Sequence, residues 1–329
     1  MSKYNLQSVS FALIVLILVL MGQTESTVGQ RITAPDDVKE TSLIANTLKV
    51  KEDNIRTPQF VNSEPRRTQT GLGERLILSL EPEPIRRTEP PPEINASSAY
   101  VKELGADRAL FEKNIDKRWP LASITKLMTA VIAGENIKPE QKIVINENAV
   151  STVGYSGNFQ IGETFSTSDL IKAMLIISSN DAAVALADFY GYEEFINLMR
   201  NKALNIGMFN SVFFDPAGLS ILNQTTIPDL ERLVNYISQN HPSVFEILSE
   251  RGANILELKS GEERFIPANN RFAGRHDFNG GKTGYTDEAR GNLVSIFKFN
   301  GKRFLIIVFG TENRFDETEK LYDWLKRNI

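Results

Sequence analysis

The chain has 329 residues, of which 41% are hydrophobic, and its formal net charge is -4. These values suit a globular protein of one large or two ordinary domains and give no basic signature of nucleic-acid binding. The sequence contains no cysteine and two histidines, which excludes thiol catalysis, thiolate metal sites and disulfides and disfavours a metal site built from histidines.

The first 95 residues differ in composition from the rest of the chain. Residues 1–22 contain an apolar run from Phe11 to Met21, which has the length of a signal-peptide core. The sequence therefore predicts export, with this segment either removed or kept as a membrane anchor through residues 9–22. Residues 23–95 hold eight of the fourteen prolines and one aromatic residue, Phe60. This composition is typical of a disordered, Pro-rich tether and leaves residues 96–329 as the folded domain.

The folded part begins and ends with patterns that are typical of strands. Residues 98–104 and 108–113 are predicted strands at its start, and residues 293–299 and 303–309 are predicted strands near its end. Asn300-Gly301 between the last two is a strong hairpin signal. Helical patterns fill the middle, and residues 317–328 form an amphipathic helix with Leu321, Trp324 and Leu325 on its apolar side. We therefore predict an α+β fold in which one antiparallel sheet, formed by both ends of the domain, is packed by helices and carries a mainly helical insertion.

The first candidate catalytic pair lies in residues 120–130, which read PLASITKLMTA. On a helix, Ser123 and Lys126 share one face, one turn apart. A buried lysine with a lowered pKa can accept the proton of a serine hydroxyl. Taken alone, the spacing also fits a helix-capping serine and a solvent-exposed lysine. It recurs at Ser295 and Lys298, where a strand would place the two side chains on opposite faces.

A second segment, Ser178-Ser179-Asn180, joins two predicted buried helices at residues 168–177 and 181–189. Polar side chains in such a place need hydrogen-bond partners. A helix cap at the corner between the helices would also explain a single serine there.

A third segment, residues 279–286, reads NGGKTGYT and comes directly before the first C-terminal strand. Its small residues allow another group to approach the backbone closely. Lys282 and Thr283 offer a positive charge and a hydroxyl to a carboxylate. A rival segment, Lys259-Ser260-Gly261, is interpreted as an ordinary hairpin turn.

Together, Ser-Ile-Thr-Lys at 123–126, Ser-Ser-Asn at 178–180 and Lys-Thr-Gly at 282–284 resemble the motif set of the penicillin-binding serine acyltransferases. The stretches PLASITKLMTA, IISSNDAAVALA and NGGKTGYTDEA are similar to the D-alanyl-D-alanine carboxypeptidases among the low-molecular-weight penicillin-binding proteins. The resemblance runs from about residue 97 to the C-terminus and implies the β-lactamase/penicillin-binding-like fold. The smaller β-rich domain that often follows in this family is expected to be absent.

The resemblance also implies a role for each motif residue. Ser123 would form an acyl-enzyme with a peptidoglycan stem peptide that ends in D-Ala-D-Ala, Lys126 would accept its proton, and Ser178 would relay a proton to the leaving amine. Backbone N–H groups of Ser123 and Tyr285 would bind the oxyanion, and Lys282 and Thr283 the terminal carboxylate. The substrate-binding residues would be Asn180, Lys282, Thr283, Gly284 and Tyr285. β-Lactams would inhibit covalently, no metal or cofactor is implied, and the place of action would be the bacterial cell envelope.

Three alternative functions are weighed against this hypothesis. A D,D-endopeptidase of the same family would carry the same motifs. A class A β-lactamase would need a deacylating glutamate, for which the best candidate, Glu231 followed by Asn235, lies on the solvent face of a predicted helix. A non-catalytic module that binds cell wall or senses β-lactams would need neither Ser123 nor Lys126.

Overall fold

The computed structural model describes residues 89–154 and 157–329, and every structural statement below concerns these residues. The helices and strands follow in chain order: β1 Ser98–Glu103, β2 Phe111–Lys113, β3 Trp119–Pro120, a 3₁₀ turn Ala122–Thr125, α1 Lys126–Asn136, β4 Lys142–Val144, α2 Glu147–Val150, β5 Thr164–Ser166, α3 Thr167–Ile176, α4 Asn180–Tyr190, α5 Tyr192–Asn205, β6 Gln224–Thr225, α6 Ile227–Asn240, α7 Ser243–Ser249, β7 Gly252–Leu256, β8 Glu263–Pro267, β9 Phe278–Thr286, β10 Arg290–Phe299, β11 Lys302–Thr311 and α8 Arg314–Asn328.

Five of the strands form one antiparallel sheet in the order β2-β1-β11-β10-β9. The first strand of the domain pairs with its last strand, with Ser98 opposite Phe309. Asn300 and Gly301 connect β10 and β11 with positive φ angles of 50° and 77°, which is the backbone conformation that this turn sequence favours. The sheet formed by both ends of the domain is therefore confirmed, and with it the predicted α+β fold.

Apolar side chains cover both faces of the central strands. Along β10 and β11, alternate residues belong to two separate cores, as the two-residue period of a strand requires. One core contains the helices of the insertion. The other contains the apolar side of α8, where Leu321, Trp324 and Leu325 are buried as predicted. The chain thus builds a sheet with helices on each side.

Three details differ from the sequence-based expectations. Ser123 lies in a 3₁₀ turn just before α1, not in the first turn of an α-helix. Helix α3 begins one residue earlier than predicted, because Ser166 accepts the capping hydrogen bond from the N–H of Asp169 at 3.1 Å. The Lys282 segment is itself a strand, β9, at the edge of the sheet, although its three glycines weaken the strand pattern.

The chain between Glu89 and Asn95 packs on α8. Glu89 makes two hydrogen bonds to the end of this helix: its Oε2 accepts from Arg327 Nε at 2.8 Å, and its backbone N donates to Asn328 Oδ1 at 3.0 Å. Ile94 is buried in the sheet–α8 core. This end of the predicted tether therefore contacts the domain. The predicted signal segment, residues 1–22, and the rest of the tether up to residue 88 lie outside the described residues. Within the described residues, no helix combines the length and the apolar character that crossing a membrane requires.

Candidate active site

Ser123 and Lys126 meet at the start of α1. The 3₁₀ turn that carries Ser123 begins with Ala122, whose φ of 48° is unusual for a residue with a side chain. Lys126 Nζ lies 2.9 Å from Ser123 Oγ. The i, i+3 spacing therefore produces the expected contact, even though the local geometry is a tighter helix than predicted.

The amine of Lys126 is completely buried. Besides Ser123, it contacts Asn180 Oδ1 at 2.6 Å and the carbonyl oxygen of Ala217 at 2.7 Å. Burial lowers the pKa of Lys126 to about 7, although the carboxylates of Asp215 and Asp181 oppose this shift. The lysine can therefore be neutral near neutral pH.

The two neighbours of this amine orient its lone pair. The Ala217 carbonyl can only accept hydrogen bonds, and the Asn180 amide turns its oxygen to Lys126 because its Nδ2 donates to Val153 O at 2.7 Å. A neutral amine has two N–H groups, which these two acceptors occupy. Its lone pair then faces the hydroxyl of Ser123, which is the arrangement that a general base requires.

Ser178 lies between α3 and α4 with a φ of 62°. Helix α4 is capped by the next residue, Ser179, whose Oγ accepts a hydrogen bond from Ala182 N at 3.1 Å. The helix cap that could have explained Ser178 is therefore provided by Ser179. Ser178 Oγ instead accepts a hydrogen bond from Lys282 Nζ at 2.8 Å, which links the second motif to the third.

Strand β9 brings the third motif against the nucleophile. A Cβ atom on Gly284 would lie 2.9 Å from the carbonyl oxygen of Leu121, so only glycine allows this close approach. Lys282 is buried, and burial together with the positive charges of Lys126 and Arg314 lowers its pKa well below the usual value. Thr283 Oγ1 lies 3.3 Å from Asn269 Oδ1.

These segments enclose a cleft of about 240 Å³. It is lined by Ser123, Gly154, Ile177, Ser178, Asn180, Asn269, Thr283, Gly284, Tyr285 and Arg314. Six of the eight predicted site residues thus line the cleft, and a seventh, Lys126, contacts Ser123, which does. Lys282, the eighth, reaches the cleft through its hydrogen bond to Ser178.

Arg314 is a cleft residue that the sequence analysis missed. It is the first residue of α8, and its Nε atom is buried without a hydrogen-bond partner among the described residues. Burial lowers its pKa. The sheet register aligns Tyr285, Gly291 and Thr311 in one row, so the chain after Thr311 emerges beside the third motif. That register was not available from the sequence.

A loop that starts at Asp215 was also missed. The carboxylate of Asp215 accepts hydrogen bonds from four backbone N–H groups, which belong to Ala217, Gly218, Leu219 and Ser220. This clamp holds the Ala217 carbonyl against Lys126. Gly218 has a φ of 84°, and a Cβ atom there would lie 1.9 Å from Ala122 O. The sequence signal was Asp215-Pro216 with a glycine two residues later, a typical turn composition.

The rival segments lie elsewhere. Ser295 is buried and Lys298 is exposed on β10. Ser260 donates to the carboxylate of Glu257 at 2.7 Å within the β7–β8 turn, as an ordinary hairpin turn would. The carboxylate of Glu231, the best β-lactamase candidate, is occupied by Tyr100 and Lys102, each at 2.7 Å. Among the described residues there is no cluster of three acidic or histidine side chains that could hold a metal.

Comparisons with known proteins agree with this geometry. Residues 85–313 match the family model described as D-alanyl-D-alanine carboxypeptidase. The chain is 28% identical over 246 residues to the D-alanyl-D-alanine endopeptidase of Escherichia coli (strain K12), an alignment that covers 71% of this chain and 78% of that protein. It is 29% identical over 252 residues to D-alanyl-D-alanine carboxypeptidase DacC of the same organism, with 71% of this chain and 62% of that protein covered. Penicillin-binding protein D2 from Listeria monocytogenes, in its cefotaxime-bound form, has a similar structure, with a TM-score of 0.63, 30% identity and coverage of 72% of this chain and 99% of that one.

Proposed function

The chain belongs to the D-alanyl-D-alanine carboxypeptidase family of serine hydrolases, and from that premise we propose that it removes the terminal D-alanine from peptidoglycan stem peptides with Ser123 as its nucleophile. One observation carries the assignment of the nucleophile. Lys126 is buried, its pKa is about 7, and its two fixed acceptors leave the lone pair facing Ser123 Oγ at 2.9 Å. A helix-capping serine with a surface lysine would need none of this arrangement.

In the proposed reaction, Ser123 Oγ bonds to the carbonyl carbon between the two D-alanines while its proton passes to Lys126. The carbonyl electrons move onto oxygen, where the backbone N–H groups of Ser123 and Tyr285 would stabilise the charge. When the oxyanion collapses, the C–N bond breaks, and the departing amine takes the proton that Lys126 received from Ser123, relayed through Ser178, which leaves Lys126 neutral again. Water then attacks the ester with Lys126 as base, which frees the shortened peptide acid.

The cleft favours a substrate that ends in a carboxylate. Lys126, Lys282 and Arg314 converge on it, and each has a pKa below its usual value. Burial is the main cause of each shift, and an anion placed among these groups would favour their charged forms. We assign the terminal carboxylate to Lys282, Thr283 and Arg314, whose Nε is buried without a hydrogen-bond partner among the described residues.

The assignment can be tested by intact-mass analysis of the full chain with benzylpenicillin and then with diacetyl-Lys-D-Ala-D-Ala. We expect the protein to gain the mass of one penicillin and to release D-alanine from the peptide. Ser123→Ala should do neither. Ser295→Ala, which changes the serine of the rival pair and removes a buried hydroxyl without a partner, should do both. A penicillin adduct that survives in Ser123→Ala, or no adduct on the unaltered protein, would contradict the proposal.

The role of Arg314 predicts a loss that depends on the substrate's carboxylate. Arg314→Ala should lower kcat/KM for diacetyl-Lys-D-Ala-D-Ala about 10- to 100-fold, the usual worth of a hydrogen bond to a charged group. Amidating the substrate's terminal carboxylate should lower kcat/KM of the unaltered protein by a similar factor. It should lower kcat/KM of Arg314→Ala little further. Arg271→Ala is the control, because Arg271 pairs with Asp316 at the surface, where both side chains are more than half exposed. If Arg314→Ala lowered kcat/KM equally for the peptide acid and for its amide, Arg314 would not be a carboxylate-binding residue.

A D,D-endopeptidase is the second candidate. The alignment covers a larger share of the Escherichia coli endopeptidase than of DacC, 78% against 62%. The peptide bond cleaved in a cross-link also has a carboxylate on the carbon next to its nitrogen, so the same cleft could accept it. Comparing the rates of D-alanine release and cross-link cleavage on a purified cross-linked muropeptide separates the two activities. Our proposal expects D-alanine release to be the faster.

Export and tethering complete the proposal. The family's substrate lies in the bacterial cell envelope, so we propose that residues 1–22 direct export, as a cleaved signal or a retained membrane anchor. We further propose that residues 23–95, of which residues 89–95 pack on α8, tether a catalytic domain comprising residues 96–329. The apolar run of residues 11–21 and the prolines of the following segment support this organisation.

A further inference from the structure

A β-bulge lies beside the nucleophile turn, by which we mean residues 120–125 with Ser123 among them. Between β10 and β11 the register steps from Gly291↔Thr311 to Leu293↔Val308, so two residues along β10 correspond to three along β11. Gly310 in the longer strand has a φ of 68°. A bulge leaves ladder groups without their usual partners and bends the strand, and bulges are frequent next to active sites. The residue of β10 inside this irregular step is Asn292.

The side chain of Asn292 forms hydrogen bonds both to strand β11 and to the backbone that precedes Ser123. It is completely buried, and its Oδ1 accepts a hydrogen bond from Gly310 N at 3.1 Å, in place of a ladder partner. Its Nδ2 donates to the carbonyl oxygens of Pro120 at 2.8 Å and Leu121 at 3.2 Å. Both donors and the acceptor of this amide are therefore used, and two of the three bonds go to the backbone just before Ser123.

That backbone is the part of the nucleophile turn that most needs support. Ala122 holds a φ of 48°, in the left-handed region that residues with a Cβ atom seldom occupy unless their surroundings impose it. On its other side, Leu121 N donates to Asn223 O at 2.8 Å. The turn is thus held between β10 and the loop of residues 215–223, the Asp215 loop.

Asn292 also sets the distance between the nucleophile turn and β9. It lies directly opposite Gly284 in the β9–β10 pairing. Gly284 approaches the carbonyl oxygen of Leu121 so closely that a Cβ atom would lie 2.9 Å from it. One side chain therefore connects the turn that presents Ser123 to the strand pair that presents Tyr285.

We infer that Asn292 is a positioning residue, which keeps the backbone N–H groups of Ser123 and Tyr285 at the separation that an oxyanion requires. This inference rests on the proposed function, because it concerns the oxyanion site of that reaction. Asn292 touches neither substrate nor nucleophile. It acts through the carbonyl groups of Pro120 and Leu121, whose places determine where Ser123 N points.

The test uses Asn292→Asp and Asn292→Ser in the full chain. Aspartate has the same shape but sets a carboxylate against two carbonyl oxygens, while serine is shorter and keeps one donor. Because the loss of one oxyanion donor costs about 10²- to 10³-fold in rate, we expect kcat for diacetyl-Lys-D-Ala-D-Ala and the rate of acylation by benzylpenicillin to fall by about that factor in Asn292→Asp. KM should stay within about threefold. Affinity for an N-acyl-D-alanine boronic acid, which forms a tetrahedral adduct on serine, should fall in parallel with kcat.

Tyr322→Phe is the matched control, since Tyr322 donates a buried hydrogen bond to Lys298 O at the other end of the same strand. It should lower the midpoint of thermal unfolding without changing kcat or boronate affinity. The inference is overturned if the Asn292 variants keep kcat within about threefold, if boronate affinity does not follow kcat, or if both variants unfold at the assay temperature, which would make Asn292 a stability residue only. An unaltered protein that penicillin does not acylate would instead overturn the proposed function itself.

Discussion

Replacing Lys126 with alanine is expected to slow acylation of Ser123 by benzylpenicillin about 10²- to 10⁴-fold, the usual contribution of a general base. Alanine leaves no group that can take the proton of Ser123. Lys126→Arg should be as damaging, because a guanidinium keeps its proton at every pH used for a protein. The rate is measured by quenching the reaction at short times and determining the acylated fraction by intact mass.

The pH dependence of the same rate gives an independent check. Lys126 acts as a base in its neutral form, and its pKa is about 7. The acylation rate of the unaltered protein should therefore rise as the pH increases through about 7 and level off above it. Lys102→Ala is the control, since Lys102 pairs with Glu231 away from the cleft, and both its rate and its pH profile should match the unaltered protein. A Lys126→Arg variant with more than a tenth of the original rate would exclude Lys126 as the base.

Gly218→Ala is expected to lower the free energy of unfolding by about 2 to 4 kcal/mol, since it combines steric overlap with a left-handed backbone. The new methyl group would lie 1.9 Å from Ala122 O, at a φ of 84°. To relieve this overlap, the Asp215 loop must move away from the nucleophile turn. The Ala217 carbonyl would then leave Lys126, so acylation should slow as well. Urea denaturation gives the stability, and quenched mass analysis gives the rate.

The same substitution at Gly134 should have the opposite effect. Gly134 is a solvent-exposed residue in the last turn of α1, and no atom outside the helix backbone lies within 4 Å of an added Cβ. Because alanine is the better helix former, Gly134→Ala should raise the free energy of unfolding by about 0.5 to 1 kcal/mol and leave acylation unchanged. If Gly218→Ala folds with unchanged stability and acylates normally, the loop does not brace the nucleophile turn.

The parts of the site that could be predicted are contiguous in the chain. Ser123 and Lys126 are one helical turn apart, so local periodicity brings them together. Ser178 and Asn180 are only two residues apart, at the start of α4. The strand pairing of the two chain ends could also be predicted, because both carry strong alternating or apolar patterns around clear turns.

The parts that were missed depend on contacts between distant segments. Arg314 and Asn292 reach the site through the register and the bulge of β9–β11, which a single sequence does not specify. Asp215 acts by accepting hydrogen bonds from four backbone N–H groups of its own loop. The sequence indicates such a role only by a composition that is typical of turns. The φ of Ala122 is likewise imposed by its neighbours rather than by its own preference.

The convergence of Lys126, Lys282 and Arg314 on the cleft links substrate binding to proton uptake. Burial and the positive charges of Lys126 and Arg314 hold the pKa of Lys282 well below its usual value. A bound carboxylate favours the charged form and raises this pKa, so Lys282 takes up a proton on binding wherever the pH lies between the two values. By thermodynamic linkage, binding tightens as the pH falls between these two pKa values of Lys282. The Lys126 step needs the neutral amine, so it slows as the pH falls through about 7. Lower pH thus favours carboxylate binding at Lys282 and disfavours proton acceptance by Lys126.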